Sequence, residues 1–487
     1  LPIWLSGLTS IPQILLIDNN PLLENLEGLS SLSSVGYLRI RNNEGLTSLE
    51  GMSGLTELSG PVVDPCSCSP FQSFIDVNNS LIDLSGLSNL TSIGSGLFIN
   101  NNNSLQTLDG LESLSTIGGA LAIEDNAALE NINSLSSLTL IDRDLVFRRN
   151  HSLTNFNGLQ NVTSVGLWFI IEEHNALENL EGMSGLTNIG GQLVIVNNSN
   201  LQNLDGFSSL STINDALCIE NNPELENIDG LSSLSSIGAH LNIWSCPELT
   251  DVDGLANLSW LGGEIFIKHC HSLENLMGLA GLSIINGRLI FFDNTSLINL
   301  DGLSNINEIS GEEVVIYENT ALENLDGLSN ITSLSGMLLI WGNSVLENLD
   351  GLSGLTSVNG DLTIANNAHL SNCCGIYQLL CADAPGCSSD NVGGTVDIGS
   401  NENSCTVANI ISESGPCVIT ASHDQEKALS GITVYPNPVK NQQISIRFSS
   451  FSPGPVQIKL DNSQGKILWQ DQIELLGSEE DYLIDLG

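Results

Sequence analysis

Basic residues are scarce in this chain of 487 amino acids: 12 lysines and arginines stand against 56 aspartates and glutamates, for a net charge of −44. Only Arg39, Arg41, Arg143, Arg148, Arg149, Lys268 and Arg288 precede residue 420. A chain of this charge repels phosphate backbones and anionic lipid heads, which argues against nucleic acid or a direct membrane surface as partner. Aromatic residues make up only 5% of the sequence. No run of about 18 apolar residues occurs, so no transmembrane helix is expected. There is no initiator methionine and no signal peptide; Leu1-Pro-Ile-Trp-Leu-Ser-Gly-Leu-Thr-Ser-Ile already reads as the second half of a repeat, so the chain is expected to begin inside a longer parent. Catalytic signatures are missing too: no glycine-rich phosphate loop followed by lysine, no HExxH and no nucleophile elbow. The chain is therefore not expected to be an enzyme.

What is present is a recurrence. A leucine-anchored phrase returns fourteen times, almost always after 24 residues, starting at Leu23, Leu46, Leu81, Leu105, Leu129, Leu153, Leu177, Leu201, Leu225, Leu249, Leu273, Leu297, Leu322 and Leu346, with a degenerate copy at Leu370. Units of this size cannot bury an apolar face alone and must stack, which gives a rod. Counted from the first leucine, apolar residues fall at plus 3, 6, 9, 12, 16 and 18, as in Leu108, Leu111, Leu114, Ile117, Leu121 and Ile123. Steps of three and two are not a helical stripe, and Leu121-Ala-Ile123 alternates as a strand does. The spacing predicts an all-β solenoid of about 14 rungs, each with short strands separated by turns.

Glycine stands at plus 5 in thirteen of the fourteen phrases, Ser134 being the exception. Either a turn with positive φ or a close rung-to-rung approach requires it. Asparagine recurs at plus 21 (Asn102, Asn126, Asn150, Asn198, Asn222, Asn294, Asn343, Asn367), where a buried stacked amide can bond turn backbone that would otherwise be unpaired. His174, Cys246 and Cys270 take that place in three rungs. His174 is read as a satisfied corner residue. Equivalent α-carbons on stacked rungs lie about 4.8 Å apart, so a Cys246–Cys270 bridge is geometrically feasible, although two reduced thiols are the favoured reading.

Acidic residues form a further column at plus 4, including Asp205, Asp229 and Asp253. Like charges at rung spacing repel, so the column is read as solvated, with calcium bridging between neighbouring carboxylates as the alternative. No other cofactor is expected. Six of the eleven cysteines, Cys373, Cys374, Cys381, Cys387, Cys405 and Cys417, crowd after the last full repeat. They point to a disulfide-bearing cap in a secreted protein, with fifteen pairings open, rather than to zinc.

The repeats vary most in the two outward residues that flank the plus 18 strand position. Aromatic residues collect there in the later half, at Trp244, Phe266, Phe292, Tyr317 and Trp341. A long exposed apolar stripe marks a contact surface, and these five residues are the candidate site for a protein or glycan ligand. Strand propensity, or packing against a neighbouring domain of the parent, is the plainer alternative. Arg143, Arg148 and Arg149 form the only basic cluster, which is thin support for a polysaccharide-cleaving solenoid.

The unit Leu-x-Asn-Leu-Asp-Gly-Leu-Ser-x-Leu-Thr-Ser-Ile-Gly-Gly-x-Leu-x-Ile-x-x-Asn resembles the receptor L-domain repeat, a relative of leucine-rich repeats, over about residues 1–372. Leu121-Ala-Ile123-Glu-Asp-Asn126 also fits the LxLxxN core of leucine-rich repeats. The resemblance implies a right-handed parallel β-solenoid with a binding or adhesion role. Residues 373–417 look like the cysteine-rich cap of such arrays, and 418–431 read as a linker. Ile432-Thr-Val-Tyr435-Pro436-Asn437-Pro438-Val-Lys440 then resembles the opening of the type A sorting domain of the Bacteroidetes type IX secretion system. That resemblance implies a small β-sandwich over 432–487, recognition by the type IX secretion machinery, and a secreted or outer-membrane-surface location on a Gram-negative bacterium. The usual last strands are missing after Ile484-Asp-Leu, so the sorting domain is expected to be incomplete.

Overall fold

A computed structural model describes residues 7–60, 72–381, 391–402, 405–411 and 417, together with the backbone of five strands between 432 and 485. The chain divides into two units, Leu1–Cys417 and Val418–Gly487. The first is a parallel β-solenoid of about 14 turns with little helix. Each rung contributes a strand of four or five residues to one sheet and a two-residue strand to a second row. Leu121–Glu124 pairs in register with Leu97–Asn100 and Leu145–Arg148, and Thr116–Ile117 pairs with Ser92–Ile93 and Leu140–Ile141. The longer strand Ser34–Arg41 joins both rows, pairing with Glu57–Leu58 at one end and Ser73–Asp76 at the other.

The sequence period explains the packing. In the rung that begins at Leu129, the side chains of Leu129, Ile132, Leu135, Leu138, Ile141, Leu145 and Phe147 are all fully buried. Repeated along the rod, these positions fuse into one continuous apolar core. Burial of this kind contributes about 1.5–3 kcal/mol per large side chain, and neighbouring rungs share it, so no rung is stable alone.

Three polar devices close the turns between strands. Most rungs carry a single 3₁₀ turn such as Asp205–Phe207 or Asp229–Leu231. The residue two before the turn, an asparagine in most rungs and an aspartate at Asp83 and Asp251, accepts from its first N–H, as Asn203 Oδ1 does from Asp205 (3.2 Å) and Asn299 Oδ1 from Asp301 (3.0 Å). Hydroxyls at plus 10 form a second series, in which Ser115, Thr139, Thr187, Ser211 and Ser235 each donate to a backbone carbonyl one rung back at 3.0–3.1 Å. The third device is the corner asparagine. Asn126 Oδ1 accepts the Asn102 N–H at 3.0 Å, while its Nδ2 donates to Ile99 O at 2.8 Å and Glu124 O at 3.0 Å.

The plus 5 glycines exist for close approach. A β-carbon on Gly206, Gly230, Gly254 or Gly302 would overlap the carbonyl oxygen of Leu180, Leu204, Ile228 or Leu276 in the preceding rung, which is backbone and cannot rotate away. Among the plus 5 glycines, positive φ occurs only at Gly51, Gly110, Gly158 and Gly182, so it is a secondary requirement. Ser134 is tolerated by donating its hydroxyl to Asp109 Oδ1 at 2.7 Å. Gly230→Ala is expected to lower unfolding stability by about 1–3 kcal/mol through overpacking. Gly399→Ala, whose β-carbon would meet only Asp397 Oδ1 at 3.6 Å, is expected to be neutral when the two variants are compared by urea titration.

At the end of the rod, Val396–Gly399 adds a last strand to the sheet, pairing with Leu362–Ala365. Two disulfides, Cys373–Cys405 and Cys374–Cys417, tie the cap, with Cα separations of 5.5 and 5.0 Å. Cys381 is also disulfide-bonded, and Cys387 lies outside the described residues. In the second unit, Gln443–Ser449 pairs antiparallel with Ile432–Lys440 and Glu479–Asp485, and Gly454–Asp461 pairs with Ile467–Leu475. Residues 435–438 lie within the first of these strands.

Candidate functional site

Parallel in-register pairing turns one position of the repeat into a column on the outer face of the long-strand sheet. Glu220, Trp244, Lys268, Phe292, Tyr317, Trp341 and Ala365 follow one another as direct cross-strand partners. Four of the five sequence-predicted residues thus share a column. Phe266 does not; it lies in the neighbouring outward row between Asn242 and Ile290.

Within the column the rings meet face to face. Phe292 and Tyr317 stack at 4.8 Å with planes 10° apart, and Tyr317 and Trp341 at 4.5 Å and 9°. Lys268 fills the rung between Trp244 and Phe292, its Nζ 5.2 Å from one ring centroid and 4.8 Å from the other. The lysine continues the column, since a cation over two ring faces is attracted to both quadrupoles. His269 then meets Phe292 edge-on at 5.3 Å. Because the internal faces are spent on each other, Phe292 and Tyr317 offer solvent their edges, while Trp244 is 40% exposed.

The same outer face is built differently earlier in the rod. There the outward row Phe98, Ala122, Val146, Ile170 and Val194 forms a small cluster, with Ala122, Val146 and Ile170 buried. The adjacent column holds Glu124, Arg148 and Glu172, with Arg148 Nε 2.6 Å from Glu172 Oε2 and Nη1 3.8 Å from Glu124 Oε1. Arg149 pairs with Asp125 at 2.5 Å. Arg148 and Arg149 are thus engaged by carboxylates. On the short-strand row, Trp260 is 55% exposed beside Ser236, and Ile284 follows it, a smaller apolar patch that the sequence reading missed.

The corner series is continuous except where the sequence departs from asparagine. Cys246 and Cys270 are both free and buried. Burial pushes the Cys246 thiol up to about 11 and the Cys270 thiol higher still, so neither is poised as a thiolate. His174 is not the satisfied corner residue expected: its ring is fully buried and neither nitrogen has a hydrogen-bond partner. An imidazole cannot reproduce the geometry of a primary amide, and the pocket around it is apolar, with Phe156 at 6.4 Å. Burial pushes its pKa down to about 4, opposed only in part by the Glu172 backbone and Asn198.

Asp205, Asp229 and Asp253 open successive 3₁₀ turns. The Asp253 carboxyl is raised by desolvation and then by Asp251 and Asp229. Among the described residues these three do not converge as a set of metal ligands; His269, His271 and Asp293 do. That triad escaped the sequence reading because its third member stands 24 residues from the first, and only rung stacking brings it near. No helix among the described residues is long and apolar enough to cross a membrane.

Stacked rungs, a leucine-lined core and asparagine corners define a leucine-rich-repeat solenoid. The chain belongs to the BspA-type leucine-rich repeat family, whose six-copy repeat model matches residues 71–194, 120–242, 178–298 and 218–339, more than half of the sequence. No curated protein matches it.

Proposed function

We propose that this chain is an exported bacterial surface protein that binds a partner protein through the outer-face column from Trp244 to Trp341. The observation that carries the reading is the column itself: four aromatic residues and a lysine brought into register in a chain with few of either. Aromatic residues on a rigid sheet lose little entropy on binding, which is why they dominate hot spots. Repeats of the BspA type commonly belong to surface proteins and are typically not enzymes, and the receptor L-domain likeness of the unit points the same way. Export by the type IX machinery rests on the Tyr435-Pro436-Asn437-Pro438 motif. A protein is favoured over a glycan because sugars stack on ring faces, and here the inner faces are already occupied.

The test is retention of the solenoid on protein and glycan panels. A Phe292→Ala, Tyr317→Ala, Trp341→Ala triple variant is expected to lose at least roughly 30-fold in affinity for protein ligands, with an unchanged far-UV spectrum, given about 2 kcal/mol or more for a hot-spot ring. Unchanged retention would sink the proposal. Loss confined to glycan spots would transfer the site to a carbohydrate partner.

A further inference from the structure

We propose that His269, His271 and Asp293 form a binding site for a divalent transition metal of the zinc class, at the corner beside the aromatic column. Their candidate ligand atoms all lie within 4.8 Å of one another. His269 Nδ1 and Asp293 Oδ2 are 2.7 Å apart, and the His269 and His271 rings lie 6.1 Å apart. A tetrahedral ion with bonds of about 2.0–2.1 Å needs ligand atoms roughly 3.3 Å from each other, so rotations of side chains suffice to close the site.

The backbone fixes this arrangement in advance. His269 and Asp293 occupy the same repeat position on consecutive rungs, and both hold left-handed φ values, 55° and 53°. The His269 N–H donates to Phe292 O at 3.0 Å, and the Asp293 N–H to Tyr317 O at 2.8 Å, which locks the two corners in register. His271, two residues further along the first of these rungs, is exposed and supplies the third ligand from the solvent side. Phe292 packs edge-on against His269 and limits how far the imidazole can swing.

The donor set selects the ion. Two imidazoles and one carboxylate suit zinc, copper or nickel, whereas calcium and magnesium take oxygen ligands. This site is therefore chemically distinct from the acidic plus 4 column. Three protein ligands leave a coordination position open to water or to a donor from outside. The surrounding net charge of −44 concentrates cations near the rod. In the absence of metal, the His269–Asp293 contact is a hydrogen bond that the ion would replace.

The experiment is a zinc titration of the whole chain at neutral pH, by calorimetry and by competition with a chromophoric chelator. A saturable site is expected whose affinity falls at least tenfold in His271→Ala and in Asp293→Asn. Both variants should melt with the wild type in the absence of zinc. Cobalt substitution should give visible bands that both variants abolish, and calcium should not compete. Absence of saturable zinc binding, or equal affinity in His271→Ala, overturns the proposal and leaves an ordinary His–Asp hydrogen bond with His271 as a bystander. Neither outcome depends on the partner-binding reading of the column.

Discussion

Asn126→Ala is expected to lower stability by about 3 kcal/mol, more than any single surface change on the rod. The side chain is fully buried and connects three rungs, bonding Asn102 and Ile99 on one side and Asn150 Oδ1 on the other at 3.3 Å. Removing it leaves the Asn102 N–H without its acceptor and withdraws the Nδ2 donor from Ile99 O and Glu124 O. Each buried polar group left unpaired costs about 1–3 kcal/mol, far above the net worth of an ordinary hydrogen bond. Because rungs are coupled only to neighbours, the loss should be local before it is global. Hydrogen exchange should show it as faster exchange at Asn102 and the flanking rungs, with distant rungs unchanged. Asn103→Ala, one residue from the affected corner and bonded only to Asn79 Oδ1 on the surface, should stay within about 0.5 kcal/mol.

His174→Asn is expected to do the reverse. An amide there restores an acceptor for Asn150 and a donor to the strand carbonyls, as Asn198 does one rung later with Ile171 O at 3.1 Å. A gain of about 1–2 kcal/mol at neutral pH follows, reduced by the smaller volume beside Phe156. The larger signature is in pH. The folded imidazole stays neutral down to about 4, whereas the unfolded chain takes up its proton near 6.5. Between those values the unfolded state binds more protons, so stability is full above about 6.5, declines as pH falls, and levels off below 4. That component amounts to about 3 kcal/mol, and His174→Asn should remove it. The measurement is the difference between wild type and variant in urea titrations from pH 7.5 to 4, which cancels the carboxylates common to both. Parallel pH profiles would contradict the assignment.

The core was legible in the sequence because burial here is periodic. The apolar positions read from the spacing in the rung that begins at Leu105, namely Leu108, Leu111, Leu114, Ile117, Leu121 and Ile123, are all fully buried. The corner asparagines were legible for the same reason: a polar residue repeated in an apolar context needs backbone partners. The side-chain acceptor before each 3₁₀ turn and the plus 10 hydroxyls escaped notice, because their partners are backbone groups, an N–H of the same turn for the first and a carbonyl one rung back for the second, and these leave no mark in composition. The disulfide pairing in the cap was open among fifteen alternatives until Cys373 met Cys405 and Cys374 met Cys417.

The candidate site was half legible. Counting found the rings and put Phe266 at plus 17 and Lys268 at plus 19, but it took the two rows as one surface; registration separated Phe266 from the column and showed Lys268 lying over the rings of Trp244 and Phe292. Spacing along the chain also could not reveal that the rings face one another. That orientation is what favours a protein over a glycan, the two partners that the sequence leaves open.

The most direct test places a photoreactive residue at Tyr317, within the column, and separately at Ser236, on the short-strand row. Each labelled chain is then irradiated in contact with the envelope and growth medium of the cells that produce it. A binding column predicts discrete protein adducts from position 317 that Trp341→Ala suppresses, and none from position 236. Equal labelling from both positions, or no adduct from 317, would contradict it.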